Sequence, residues 1–218
     1  LDGVPAGFTE EGGRVRGHIA RGSRNRGEPD GRPRAAGPVS RYSLRSQSPK
    51  SSVHLAEEDV AVIRRITMEH PLYAQECALR EEVILRPIGF DMARYRKEFP
   101  GLEERFEHFV AVSNQQGRER VIACAALLPD EPAKGSGRLT QMAVDKQRQG
   151  EGLGRMLVVA VESRAFGELG IVELYCHVQV PRQGFFEALG WEPDGTVFVE
   201  AGVPHRKMVM RYQPQEPV

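Results

Sequence analysis

The stretch from 139 to 155 limits what this chain can fold into more than any other part of it. A short apolar strand, Leu139-Thr140-Gln141-Met142-Ala143-Val144, leads to the loop Gln149-Gly150-Glu151-Gly152-Leu153-Gly154-Arg155. That loop opens a helix whose apolar residues recur at Leu153, Met156, Leu157, Ala160 and Val161, the spacing of one buried helical face. Glycines let a backbone approach a ligand with no Cβ in the way. The first amides of a helix have no internal acceptor, and the helix dipole adds partial positive charge there. Arg148 and Arg155 flank the loop with full charges. Strand, glycine loop and helix N-terminus together predict a site for a phosphorylated ligand.

Charge does not identify a partner, since 30 basic residues balance 30 acidic ones over the 218 residues. The apolar runs are too short for a membrane-spanning helix, so no membrane partner is expected. Cys77, Cys124 and Cys176 are far apart and lack the spacing of a zinc site or a disulfide framework. They read as reduced thiols in a cytoplasmic protein with no metal.

Residues 1–55 are expected to be a disordered extension rich in arginine, glycine and proline. Ten basic residues oppose five acidic ones among the first 50, and Arg-Gly pairs stand at 16–17, 21–22 and 26–27. Such pairs are compatible with RNA contact, but a solvated extension is the reading preferred over nucleic-acid binding. The folded domain is expected over residues 56–213, followed by a short tail at 214–218. Val60–Thr67 reads as a first strand, and Pro71 can open a helix with Leu72, Leu79 and Val83 on its buried side. A helical piece is expected near Met92–Phe99. Phe109–Val112 and Val121–Leu128 read as a hairpin turning at Asn114–Gly117. After the central helix, Val172–Val178 alternates, with Glu173, Tyr175 and His177 on one face. A short helix carries Phe185, Ala188 and Leu189, and Gly190 closes it. Two last strands, Thr196–Glu200 and Arg206–Tyr212, are joined by Ala201–His205. The fold class is α/β, a mixed sheet flanked by helices.

The glycine loop fits neither a dinucleotide-binding GxGxxG nor a Walker loop, because the required third glycine and the Gly-Lys-Ser/Thr are missing. Gln149-x-x-Gly152-x-Gly154 instead resembles the Q/R-x-x-G-x-G/A motif of the GNAT (Gcn5-related) N-acetyltransferases. Gly184-Phe185-Phe186-Glu187-Ala188-Leu189-Gly190-Trp191 is similar to that family's "FYEKLGF" helix. Gly202-Val203-Pro204-His205-Arg206-Lys207-Met208 resembles the "GIPH..M" segment of its ElaA-like branch, and Leu72-Tyr73 with Ala78–Val83 resembles that branch's first helix. The resemblance spans roughly residues 60–212. It implies a central sheet whose two parallel strands, 139–144 and 172–178, splay to admit acetyl-CoA. It also implies a pyrophosphate held by Gln149, Gly150, Glu151, Gly152, Leu153, Gly154 and Arg155, and a pantetheine arm beside Met142, Ala143 and Val144.

The function implied is acetyl transfer from acetyl-CoA to a primary amine, on a small molecule or a peptide, by direct attack in a ternary complex. Attack needs a neutral amine, so a base must take its proton. Donors must meet the developing oxyanion, and a backbone amide near Met142–Ala143 is the candidate. Many family members protonate the leaving thiolate with a tyrosine on the "FYEKLGF" helix, but Phe186 stands at that position here. His177 and His205 are the candidate catalytic residues in its place, since imidazole titrates near neutrality. A structural role for either histidine stays open, as does a role for Glu200 in holding a cationic acceptor. Phe186 also motivates an alternative, a degenerate domain that binds acyl-CoA as a sensor without turnover. Oligomeric state is left open, a homodimer included.

Overall fold

The computed structural model describes residues 60–115 and 117–212, so the expected extension and tail lie outside the described residues. Seven strands form one sheet: β1 (Val62–Ile66), β2 (Glu107–Gln115), β3 (Arg118–Pro129), β4 (Ser136–Val144), β5 (Glu173–Gln179), β6 (Glu192–Glu200) and β7 (Val203–Arg211). Their spatial order is β1-β2-β3-β4-β5-β7-β6. Every pairing is antiparallel except that of β4 with β5. The expected α/β class with a mixed sheet is the observed one.

β3 lies centrally and is buried without interruption from Val121 to Leu128. That is the continuous apolar run expected of a strand covered on both faces. On one face packs α3 (Leu153–Glu162), through Leu157, Val158 and Val161 against Ile122, Leu127, Leu174 and Met208. On the other face lie α1 (Tyr73–Arg80) and α2 (Met92–Glu98). α1 packs Leu72, Tyr73 and Leu79 against Val110 and Cys124, while α2 brings Met92 and Tyr95 to Ala126 and Leu128.

Local chemistry sets the boundaries. α1 continues through a wider turn at Glu81–Leu85 and a tight one at Arg86–Ile88, and Gly89 ends it in the left-handed conformation at φ 76°. Asp91 caps α2 by accepting from the Arg94 amide at 2.7 Å. A fourth helix, α4 (Gln183–Glu187), links β5 to β6.

Several expected details shift. The hairpin strand runs on through Asn114, and β5 begins at Glu173 and leaves Val172 59 % exposed. β6 starts four residues early at Glu192, and β7 starts at Val203, so the turn between them shrinks to Ala201–Gly202. On α3, Met156 is 37 % exposed and Val158 takes a buried place. On α4, Phe186 is buried and Phe185 is not, the reverse of the spacing read from 185, 188 and 189. Cys124 and Cys176 are buried free thiols, and Cys77 is a half-buried one. Among the described residues no helix is long and apolar enough to cross a membrane, and no cluster of three or more His, Cys, Asp or Glu could hold a metal ion.

Candidate active site

β4 and β5 pair only at Ser136–Glu173, Gly137–Leu174 and Arg138–Tyr175. Beyond Arg138 and Tyr175 the two strands part, so the β5-facing edge of β4 has no strand partner from Leu139 to Val144. This opening sits at the carboxyl ends of two parallel strands, the usual position for a ligand in an open α/β sheet. Unpaired strand amides and carbonyls want partners. An extended ligand carrying amides of its own would supply them.

At the far end of β4 the chain turns into α3. Gly152, the N-cap of α3, has φ 81°, and no side chain caps the helix amides. Gly150 lies at φ 89°, and a Cβ added at either glycine would meet nothing within 4 Å. Both glycines therefore serve backbone conformation and leave open space above the loop. Gly154 differs: a Cβ there would lie 2.9 Å from Met142 Cε and 3.3 Å from Phe185 Cζ. Its role is close packing of α3 on β4 and α4. Gln149 donates to the Val144 carbonyl at 3.4 Å, and Arg148 Nε lies 2.8 Å from both oxygens of Glu151. Arg155 is exposed beside the first turn of α3. The loop is thus braced by side chains while no side chain caps its helix amides, a fit for the phosphates that the sequence implied.

Within β4 there is a bulge. Ala126 pairs with Thr140 and Cys124 with Ala143, so Gln141 and Met142 together oppose Ala125. Gln141 takes φ 51°. Its side chain points to the α1–α2 face, where Oε1 accepts from Arg80 Nε at 3.2 Å and Nε2 donates to Tyr95 Oη at 3.4 Å. Arg80 belongs to a buried ionic cluster. Its guanidinium pairs with Glu103 at 2.6 Å and lies 3.6 Å from Glu76, which is 2.8 Å from His108 Nδ1. Burial pushes the Tyr95 hydroxyl up to about 12, so it stays a neutral acceptor and donor at physiological pH.

The two candidate histidines occupy neighbouring strands, on either side of one phenylalanine. His177 lies on β5 two residues past the last pairing with β4, on the face of Tyr175 and opposite the α3 core. Its Nδ1 is 3.1 Å from Glu200 Oε2 and 3.2 Å from Arg138 Nη2, and Arg138 Nη2 is 3.4 Å from Glu200 Oε1. An arginine only donates, so Nδ1 serves Arg138 as an acceptor or Glu200 as a donor, not both. The His177 bond outweighs partial burial and holds Glu200 below the usual carboxylate range, which keeps it an anion at neutral pH. An anionic Glu200 favours Nδ1–H, leaving a lone pair on Nε2. Phe198 meets the His177 ring edge-on at 4.8 Å and stacks against His205 at 6.2 Å. His205 Nδ1 donates to the Val203 carbonyl at 2.8 Å, a bond within the first three residues of β7. Glu200 is thus engaged with His177 and Arg138, a partnership that sequence spacing did not reveal.

Phe186, at the position of the family's tyrosine, is buried between Phe185 and Trp191 with ring centroids at 5.0 and 5.5 Å. It carries no ionisable proton. Sequence reasoning also missed Arg138, Gln141, Arg80 and Tyr95. One signal was available: Glu76 and Arg80 sit four and eight residues after Leu72, on the helical stripe read as buried, where charges demand partners.

The family profile described as Acetyltransferase (GNAT) domain matches residues 91–212. The chain belongs to the GNAT acetyltransferase family. Uncharacterized protein YyaT of Bacillus subtilis (strain 168) is 26 % identical over 147 residues, covering 66 % of this chain and 90 % of that protein. Among solved structures, Escherichia coli ElaA matches with a TM-score of 0.53 and 18 % identity, over 69 % of this chain and 99 % of ElaA. An aminoglycoside 6'-N-acetyltransferase complexed with coenzyme A matches at 0.57 and 16 %, over 72 % of this chain and 99 % of the other. At these identities the structural matches carry the fold, and the family profile carries the membership.

Proposed function

We propose that this GNAT protein transfers an acetyl group from acetyl-CoA to a primary amine by direct attack in a ternary complex. The observation that carries the reading is the parting of β4 and β5 beyond Arg138 and Tyr175. The uncapped α3 follows one of these strands, and the His177–Glu200 pair stands on the other, two residues past the last pairing. Bound acetyl-CoA supplies an acyl thioester. The amides of Gln149 to Gly154, with Arg155 alongside, hold its pyrophosphate, and the edge of Met142, Ala143 and Val144 bonds its pantetheine amides. An amide of the bulge at Gln141–Ala143 faces the acyl oxygen as charge develops there.

His177 acts as the base. With Nδ1–H given to Glu200, its Nε2 lone pair receives the proton of the attacking amine as the C–N bond forms and the C–S bond breaks. Glu200 stabilises the resulting imidazolium, and Arg138 restrains Glu200. His205 keeps an acceptor on Nε2 because Nδ1 is committed to Val203, and we assign it a supporting role on the acceptor side. Phe186 offers no proton to the departing thiolate, so that proton comes from solvent or from the imidazolium.

The acceptor is a small-molecule or peptide amine. The test is a thiol-release screen with acetyl-CoA against amines, peptides and aminoglycosides. Amine-dependent thiol release supports the reading. The buried Phe186 favours a second one, an acyl-CoA sensor, which would show stabilisation by CoA with no thiol release from any member of the panel.

A further inference from the structure

Three described residues other than glycine have left-handed φ: Asp130, Gln141 and Ala201. Asp130 and Ala201 lie in turns, whereas Gln141 lies inside a strand. L side chains rarely adopt that conformation, and within a strand it persists only where the surroundings fix it. The fixing contacts are visible. Arg80 Nε donates to Gln141 Oε1 at 3.2 Å, and Gln141 Nε2 donates to Tyr95 Oη at 3.4 Å. Arg80 cannot drift, because it is fully buried and held by Glu103 through two bonds, at 2.6 and 3.3 Å. Tyr95 is also buried, and the Arg80 guanidinium lies 5.6 Å from its ring centre. The next residue, Met142, reaches the other side of the sheet, where its Cε lies 2.9 Å from where a Cβ on Gly154 would be. The bulge is therefore gripped from α1 and α2 on one face and abutted by the glycine-loop helix on the other.

We propose that Arg80 and Tyr95 are positioning residues for acetyl transfer. Acting through the Gln141 amide, they hold the β4 bulge in its left-handed form and so set the direction in which the backbone near Met142, on the strand edge that β5 leaves open, meets the acyl oxygen. The inference rests on the acetyl-transfer reading above. It adds that helices contributing nothing to the glycine loop set the geometry of the reacting carbonyl.

The test compares Gln141→Ala, Gln141→Gly and Tyr95→Phe in the full chain, by unfolding temperature and by kcat and KM for acetyl-CoA. Both Gln141 variants leave Arg80 Nε without its partner, so their difference isolates the backbone. Glycine adopts φ 51° freely and alanine does not. Gln141→Ala is expected to lower kcat by about tenfold or more, since small displacements at a reacting centre are costly, with KM for acetyl-CoA little changed. Gln141→Gly should unfold at a higher temperature than Gln141→Ala and have a kcat about threefold or more above it, and Tyr95→Phe should lower kcat without raising KM. A glutamine that only fills buried space predicts the reverse order, because glycine within a strand ordinarily weakens it. Gln141→Gly at or below Gln141→Ala in unfolding temperature, or unchanged kcat in Gln141→Ala, overturns the proposal. The temperature order needs no turnover. A wild-type protein that releases no thiol therefore refutes the acetyl-transfer reading, and the aiming role with it, while the order still decides whether the clamp exists.

Discussion

Substituting Gly152 separates the backbone role of the glycine loop from its ligand role. A Cβ at Gly152 meets no protein atom within 4 Å, so Gly152→Ala creates no clash. Its cost in the free protein is conformational. A left-handed φ of 81° costs an L residue about 1–2 kcal/mol, and the lower chain entropy of alanine in the unfolded state returns about 0.4–1 kcal/mol. The net loss is about 1 kcal/mol, a fall in Tm of about 2–4 °C for a domain of this size. With ligand the consequence is larger. CoA at a hundred times its Kd stabilises the wild type by about 2.7 kcal/mol, or about 5–11 °C. If the added methyl occupies space that the pyrophosphate needs, a tenfold weaker Kd reduces that gain to about 1.4 kcal/mol at the same CoA concentration, about 3–6 °C. Gly152→Glu adds like-charge repulsion and should abolish the gain. Gly154→Ala differs in kind: its Cβ lies 2.9 Å from Met142 Cε and 3.3 Å from Phe185 Cζ, so its cost in the free protein is one of packing, offset in part by about 1 kcal/mol of helix propensity. The assay is thermal unfolding of each variant with and without CoA. A Gly152→Ala protein with the full wild-type response to CoA would refute the loop as the pyrophosphate site.

Two further outcomes follow from buried charge. Arg80→Met strands Glu76 and Glu103 in the interior, and breaking such a cluster costs about 3–5 kcal/mol, a large share of a domain's stability. Urea unfolding should show that loss and a partial recovery in Arg80→Met/Glu103→Leu, whereas no recovery would contradict the pairing. Glu162 is the opposite case: burial raises its carboxyl, and the bond from Trp191 Nε1 at 2.7 Å only partly offsets this. A carboxyl held above its unfolded value favours the folded state at low pH and opposes it as pH rises through the folded value. Glu162→Gln keeps an acceptor for Trp191 and should raise Tm at pH 7, with the gain fading toward about pH 4. A lower Tm at pH 7 would contradict that sign.

The parts legible in sequence were those with local signals. The Leu139–Arg155 strand, loop and helix were read from glycines and apolar spacing, and they stand where expected. β3 was legible as an unbroken apolar run because both its faces are covered. The bulge was not, because no glycine or proline marks Gln141, and its conformation depends on Arg80, 61 residues away in sequence. The His177–Glu200 pair was hidden for the same reason: the β5–β7–β6 arrangement brings the two together across 23 residues. Phe185 and Phe186 were exchanged because α4 is only five residues long, too short for apolar periodicity to choose between neighbours. Likewise, β6 and β7 extend past their apolar cores because hairpin pairing carries polar residues such as Asp194 and His205 into the ladder.

The central claim is that His177, oriented by Glu200, takes the proton of the attacking amine. The measurement that tests it most directly is the pH dependence of kcat for thiol release, with acetyl-CoA and an active amine both saturating, in wild type and His177→Gln. The expected result is a wild-type rate that falls on the acid side as the base protonates. His177→Gln should lose that limb and about 10²–10⁴-fold in kcat, while CoA still raises its Tm by the wild-type amount. A His177→Gln protein with wild-type kcat and the same acid limb would contradict the claim and move the proton to another group.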